Sequence, residues 1–152
     1  MRRPTILLLL ALLALPACGG DDGGGGGSSG DGGGGGGGTA ATAADLDGRT
    51  FASTGSTGRD LVDGTVVSLT FTDGTLSFSA GCNSMNAGYE VTDGTLELTS
   101  EVAGTLMGCP EDKQAQDEWL SGFLGDGPEA TIDGDVLTLT SGDEALELTA
   151  AA

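Results

Sequence analysis

A chain of 152 residues with 23 acidic and only five basic side chains has a formal charge of −18 and contains no histidine. Nucleic-acid binding needs Lys and Arg to neutralise phosphates, so this balance excludes it. The lack of histidine removes the usual general base near neutral pH. Thirty glycines, half of them crowded into one stretch, mean that only part of the length can build a core.

The opening MRRPTILLLLALLALPACGG has the layout of a secretory signal: Arg2 and Arg3, an apolar run from Ile6 to Leu15, then the small Ala17. Ten apolar residues are too few to cross a bilayer, which takes roughly 20. The exit LPAC resembles the bacterial lipobox. That resemblance implies cleavage after residue 17 and a diacylglyceryl group on the thiol of Cys18. Acyl chains such as palmitate would then hold the protein at the lipid bilayer, since two chains anchor stably where one does not. Residues 1–17 are therefore expected to be a lipoprotein signal peptide. The mature protein is expected outside the cytoplasm, anchored to the cell membrane or an outer membrane.

From Gly19 to Gly38, 15 residues are glycine and the others are Asp or Ser. Such a segment has no apolar surface to offset its chain entropy. Residues 18–44 thus read as a lipidated cysteine and a disordered tether with a root-mean-square reach of about 25–30 Å. Two of the five basic residues lie in the signal, leaving three against the 23 acidic ones. Anionic headgroups repel such a chain, so the acyl group is its hold on the membrane.

The remaining span, 45–150, is the size of one small domain. In VDGTVVSLTFTDGTLSFSAG the alternation predicts a strand from Thr65 to Phe71, a turn at Asp73-Gly74 and a strand from Thr75 to Ser79. Val67, Leu69 and Phe71 share one face of the first, and Leu76 and Phe78 one face of the second. Asp-Gly suits a type I′ turn, whose two central residues need positive φ. The pattern returns about Asp93-Gly94, Asp133-Gly134 and Gly142-Asp143, with Leu96, Leu98, Ile132, Leu137, Leu139, Leu146 and Leu148 as apolar members. Hairpins of this kind predict an antiparallel sheet with one dry face. The segments DLDGR and IDGDV lack the acidic spacing of a calcium loop, so the Asp-Gly pairs read as turns.

One segment breaks the alternation. In CPEDKQAQDEWLSGFLGDG, Pro110 precedes Glu111 and Asp112, the residues expected in a first helical turn. Ala115, Trp119 and Phe123 recur at steps of four beside Leu120 and Leu124, and Gly125 follows as a C-terminal cap. This predicts an amphipathic helix of about three and a half turns that packs on the sheet through Trp119.

With Cys18 lipidated, Cys82 and Cys109 remain as an even pair in an exported, oxidising setting, which predicts a disulfide. Such a closure contributes about 3–4 kcal/mol by chain entropy. Two cysteines without histidine make a poor zinc site. Around them, Gly81 and Gly88 suit a bend or close backbone approach, and Asn83 suits a hydrogen bond to its neighbouring backbone. Tyr89 suits a buried ring with a polar tip. The group reads first as a clamp between sheet and helix, with a binding or catalytic site as the alternative.

These residues also carry a family resemblance. Gly81-Cys82-Asn83, then Gly88-Tyr89, then Thr105, Met107 and Cys109 before a helix resemble the signature of the META domain, the family of the heat-shock protein HslJ. The opening LDGRTFAS resembles that family's first strand, with Phe51 where a Trp is common. The resemblance covers Leu46 to Thr149. It implies a mainly β fold, a small antiparallel β-barrel-like sheet built from hairpins with one α-helix packed against it. It also implies a link to envelope stress or drug resistance. No cofactor is expected. Cys82 would need to be free to act as a nucleophile, and Gly-x-Ser-x-Gly is absent, so an enzyme is not expected. The expectation is an envelope interaction module with a protein partner, the alternative being a small-ligand-binding barrel. An exposed apolar patch favours the first and an internal void the second.

Overall fold

The computed structural model describes residues 37–152. The signal segment, Cys18 and the glycine run to residue 36 lie outside the described residues. Ten strands and two helices follow in order. They are β1 (Thr39–Ala40), α1 (Ala43–Leu46), β2 (Thr50–Thr57), β3 (Ser68–Thr72), β4 (Thr75–Ser79) and β5 (Ser84–Thr92). After them come β6 (Thr95–Leu98), β7 (Ala103–Gly104), α2 (Glu111–Gly125), β8 (Glu129–Asp133), β9 (Val136–Ser141) and β10 (Glu144–Ala150).

The strands form one antiparallel sheet in the order β8-β6-β5-β4-β3-β2-β10-β9. Pairing of β9 with β8, from Glu129↔Thr140 to Asp133↔Val136, closes it into an eight-stranded barrel. Closure removes the open edges that an eight-stranded sheet would otherwise expose. The hairpin alternation of the sequence is realised in register: Leu69 faces Phe78 and Phe71 faces Leu76 across β3 and β4. Leu146 faces Leu139 and Leu148 faces Leu137 across β10 and β9.

All eight of these side chains are buried and point inward with Phe51, Val67 and Leu96. At about 1.5–3 kcal/mol each, such burial is the main force holding the barrel closed. Edge-to-face contacts of Phe71 with Phe51 and Tyr89, at centroid distances of 5.9 and 5.0 Å, fill the middle. The interior is thus occupied by side chains.

Five details depart from the sequence reading. The strand expected from Thr65 begins only at Ser68, because Thr65 is taken up in a turn, its amide donating to the Val62 carbonyl at 3.0 Å. The ordered fold begins before residue 45: β1 pairs with β8, and the Ala41 amide donates to the Ala130 carbonyl at 2.9 Å. Thr42 then caps α1 through Asp45, whose carboxylate accepts from the Thr42 amide and hydroxyl at 2.8 and 2.6 Å. That cap holds the Asp45 carboxyl below its ordinary pKa.

The turns are also of two kinds. Asp73-Gly74 and Asp93-Gly94 have positive φ at both residues, the type I′ pattern. The β8–β9 turn instead centres on Gly134-Asp135, and the β9–β10 turn on Gly142-Asp143. In both, only the leading glycine has positive φ, the type II′ pattern.

Finally, α2 buries Gln116, Asp117, Leu120, Phe123 and Leu124, while Ala115 is exposed and Trp119 half-buried. Its stripe is therefore rotated from the expected one. Trp119 lies between Phe123 and Arg59, and its Nε1–H donates to Glu144 at 3.0 Å. Gly125 ends the helix without capping it; the left-handed turn falls at Gly127, with φ of 71°.

Candidate functional site

The turn after β4 needs Gly81. Its φ is +105°, and a Cβ there would stand 2.7 Å from the Thr65 side chain. The bend carries Cys82 and Asn83 off the strand toward the segment that leads into α2. Cys82 and Cys109 are joined by a disulfide with their Cα atoms 6.0 Å apart. The bond ties the end of the β4–β5 connection to the residue before Pro110, the N-cap of α2.

Asn83 makes the same junction by hydrogen bonds. Its Oδ1 accepts from the Met107 amide at 2.8 Å and from the Thr105 hydroxyl at 2.9 Å. Its backbone amide and Nδ2 donate to Asp117 Oδ2 at 2.7 and 2.9 Å. Thr105 Oγ1 in turn accepts from the Ser84 amide at 3.2 Å. Asn83 therefore bridges two remote segments, where the sequence suggested only a bond to its own neighbourhood.

The motif residues divide. Gly81, Cys82, Asn83, Thr105, Met107 and Cys109 meet at this junction. Gly88 and Tyr89 lie further along β5. Gly88 is required by a close approach, since a Cβ would stand 2.5 Å from Thr99 Oγ1. The Tyr89 ring is core, and its hydroxyl is pushed above its ordinary pKa by burial first, then by Asp47 and Asp73. Cys18 lies outside the described residues.

Two buried polar residues of α2 were not singled out from the sequence. Gln116 is fully enclosed: its Oε1 accepts from the Val62 amide at 2.6 Å, and its Nε2 donates to the Ala80 carbonyl and to Thr65 Oγ1 at 2.5 and 2.8 Å. Asp117 is only 4 % exposed, and its Oδ1 has no hydrogen-bond partner. The spacing did carry a signal, because Asp117 stands three positions before Leu120 and seven before Leu124, on the buried stripe.

Beside this junction runs an open groove of about 630 Å³. Asn83 and Met85 form one wall, the segment from Val102 to Gly108 a second, and Gln114, Asp117, Glu118 and Ser121 of α2 the third. Val102, Leu106 and Met107 are large apolar side chains left exposed there, Leu106 completely and Met107 by 60 %. Ser121 donates to the Asp117 carbonyl at 2.9 Å, with its oxygen 3.1 Å from Met85 Sδ.

A small closed antiparallel barrel, with a helix clamped to it by a disulfide and an asparagine bridge, is the class of protein these features define. The META domain family matches residues 44–152, and the chain belongs to that family. Two solved structures share the fold. One NMR structure has a TM-score of 0.61 at 21% identity, covering 72% of this chain and 94% of its own. Another, of a protein from Burkholderia xenovorans, has a TM-score of 0.59 at 19% identity and covers 72% and 86%. No curated protein matches the chain.

Proposed function

We propose that the protein is a membrane-anchored extracytoplasmic lipoprotein whose META barrel is a non-enzymatic interaction module of the cell envelope. In this reading Cys18 carries the acyl chains and the glycine run spaces the barrel from the bilayer. Two features support a non-enzymatic role: the sequence has no histidine, and Cys82 is engaged in a disulfide. The observation that carries the interaction role is the exposed apolar patch of Val102, Leu106 and Met107 along the groove. Contiguous apolar surface of this kind marks contact sites. The alternative, a ligand inside the barrel, finds that space filled by Phe51, Leu69, Phe71 and Leu139.

The test is a photo-reactive residue at Leu106 in cells, with a second at exposed Thr72 as control. A discrete cross-linked protein at Leu106 alone is expected. Equal labelling at both positions, or none, would overturn the interaction role. The anchor is tested separately: a Cys18→Ala variant should leave the membrane fraction, and one that stays there sinks the lipoprotein reading.

A further inference from the structure

We propose that the groove beside α2 docks an extended polypeptide segment presenting a lysine between apolar side chains, with the carboxylate of Asp117 as anchor. This rests on the interaction reading above and names the chemistry of the partner.

Asp117 lines the groove and is almost fully buried. Its Oδ2 takes both donors from Asn83, while Oδ1 has none. A buried carboxylate oxygen without a donor is unfavourable unless something supplies one. The neighbouring Glu118 adds a second negative group, and no Lys or Arg is among the described residues that line the groove. A cationic donor suits this site, because it also meets the negative charge of Glu118. A lysine fits better than a bare ammonium ion, because its four-carbon stem can lie along Met85 and Met107 while its head reaches Oδ1. Oδ1 is closed to solvent, so groove side chains must shift to admit the head. The unbranched methionines allow such shifts.

The surroundings indicate a polypeptide. Leu106 lines the groove yet is fully exposed, so a molecule small enough to sit within the groove would leave much of it in solvent. Small-ligand sites enclose most of their ligand, whereas this groove is open to solvent. A chain with apolar residues flanking the lysine covers Leu106 and Val102 as it crosses.

Isothermal titration calorimetry on the purified whole protein, disulfide intact, tests this with three probes. They are acetyl-Gly-Leu-Lys-Leu-Gly-amide, its analogue with norleucine for lysine, and n-hexylammonium. The lysine peptide should bind roughly tenfold or more tightly than the norleucine peptide, as a charge-assisted bond in a buried site requires. Asp117→Asn should abolish that preference, and Leu106→Ala should weaken both peptides. Equal affinity of the two peptides, or a preference that survives Asp117→Asn, would overturn the anchor. If both peptides still weaken with Leu106→Ala, docking at the groove stands and only the anchor falls. Failure of both peptides to bind overturns the proposal, and hexylammonium binding as tightly as the lysine peptide makes the site one for small amines instead. Should Asp117→Asn fail to fold, the lysine-to-norleucine ratio in the natural protein decides the matter: roughly tenfold or more supports the anchor and equality overturns it.

Discussion

Asn83 reaches Asp117 twice, its backbone amide and its Nδ2 both donating to the same carboxylate oxygen at 2.7 and 2.9 Å. Its own Oδ1 meanwhile holds Met107 and Thr105. One short side chain thus fixes the β4–β5 turn, the segment before α2 and α2 itself. The disulfide between the adjacent Cys82 and Cys109 spans the same junction covalently. The two devices are redundant in place and different in chemistry.

Redundancy predicts coupling. Asn83→Ala deletes the Nδ2 donor and leaves the Met107 amide and Thr105 hydroxyl without their acceptor, for a loss of about 2–3 kcal/mol. Cys82→Ser with Cys109→Ser should remove about 3 kcal/mol by freeing the unfolded chain. Combined, they should depart from additivity by about 0.5 kcal/mol or more, because both hold one junction. Urea unfolding of the single, double and triple variants measures this; strict additivity would show that they act independently.

Much of the barrel is legible in the sequence because one physical rule governs it. With a dry interior, period-two alternation must match the pleat, so Leu69, Phe71, Leu76, Leu137 and Leu148 announce their faces. The disulfide is legible because an even cysteine pair is an all-or-none signal. What stays hidden is set by residues that break the apolar rule. Gln116 and Asp117 sit on the buried stripe of α2 as polar groups, so a search for apolar periodicity passes over them and rotates the helix toward Ala115. Besides Cys82 Sγ next to it, the partners of Asn83 are 22 to 34 positions away, a distance no local pattern reports. The groove arises from Val102, Leu106 and Met107, which have no periodicity at all and are defined only by what fails to cover them.

Gly81 and Gly122 should respond to alanine in opposite directions. At Gly81 the left-handed φ and the Thr65 side chain, 2.7 Å from a new Cβ, both oppose the change. A loss of about 1–3 kcal/mol is expected. At Gly122, inside α2, a new Cβ meets nothing within 4 Å, and alanine should stabilise by about 0.5–1 kcal/mol. Thermal unfolding of the two variants checks the pair, and a fall at Gly122 would contradict the helix description.

Gln116→Leu keeps the shape of a buried side chain and removes its polarity. The Val62 amide and Ala80 carbonyl, both bonded to Gln116 now, would be left unpaired. A buried group left so costs about 1–3 kcal/mol; the Ala80 bond is buried and the Val62 bond part-buried, so the variant should lose about 1–3 kcal/mol despite its greater hydrophobicity. Chemical denaturation reads this, and a neutral or stabilising result would mean that water or another residue satisfies those groups.

Tyr89 gives the pH dependence. Burial raises its pKa above the ordinary 10.0, and the nearby Asp47 and Asp73 add repulsion against the phenolate. The folded state therefore keeps the phenol proton at pH values where the unfolded chain has released it. Stability from this group is complete below the unfolded pKa and is lost as pH rises toward the folded one. It is the single tyrosine of the chain, so the near-ultraviolet phenolate band reports it alone. The midpoint of that band in the folded protein should lie above 10.0, and unfolding at alkaline pH should draw it down. Tyr89→Phe should flatten the alkaline loss of stability relative to the natural protein. Two stability curves that run parallel above the unfolded tyrosine pKa would show that the phenol titrates alike in both states.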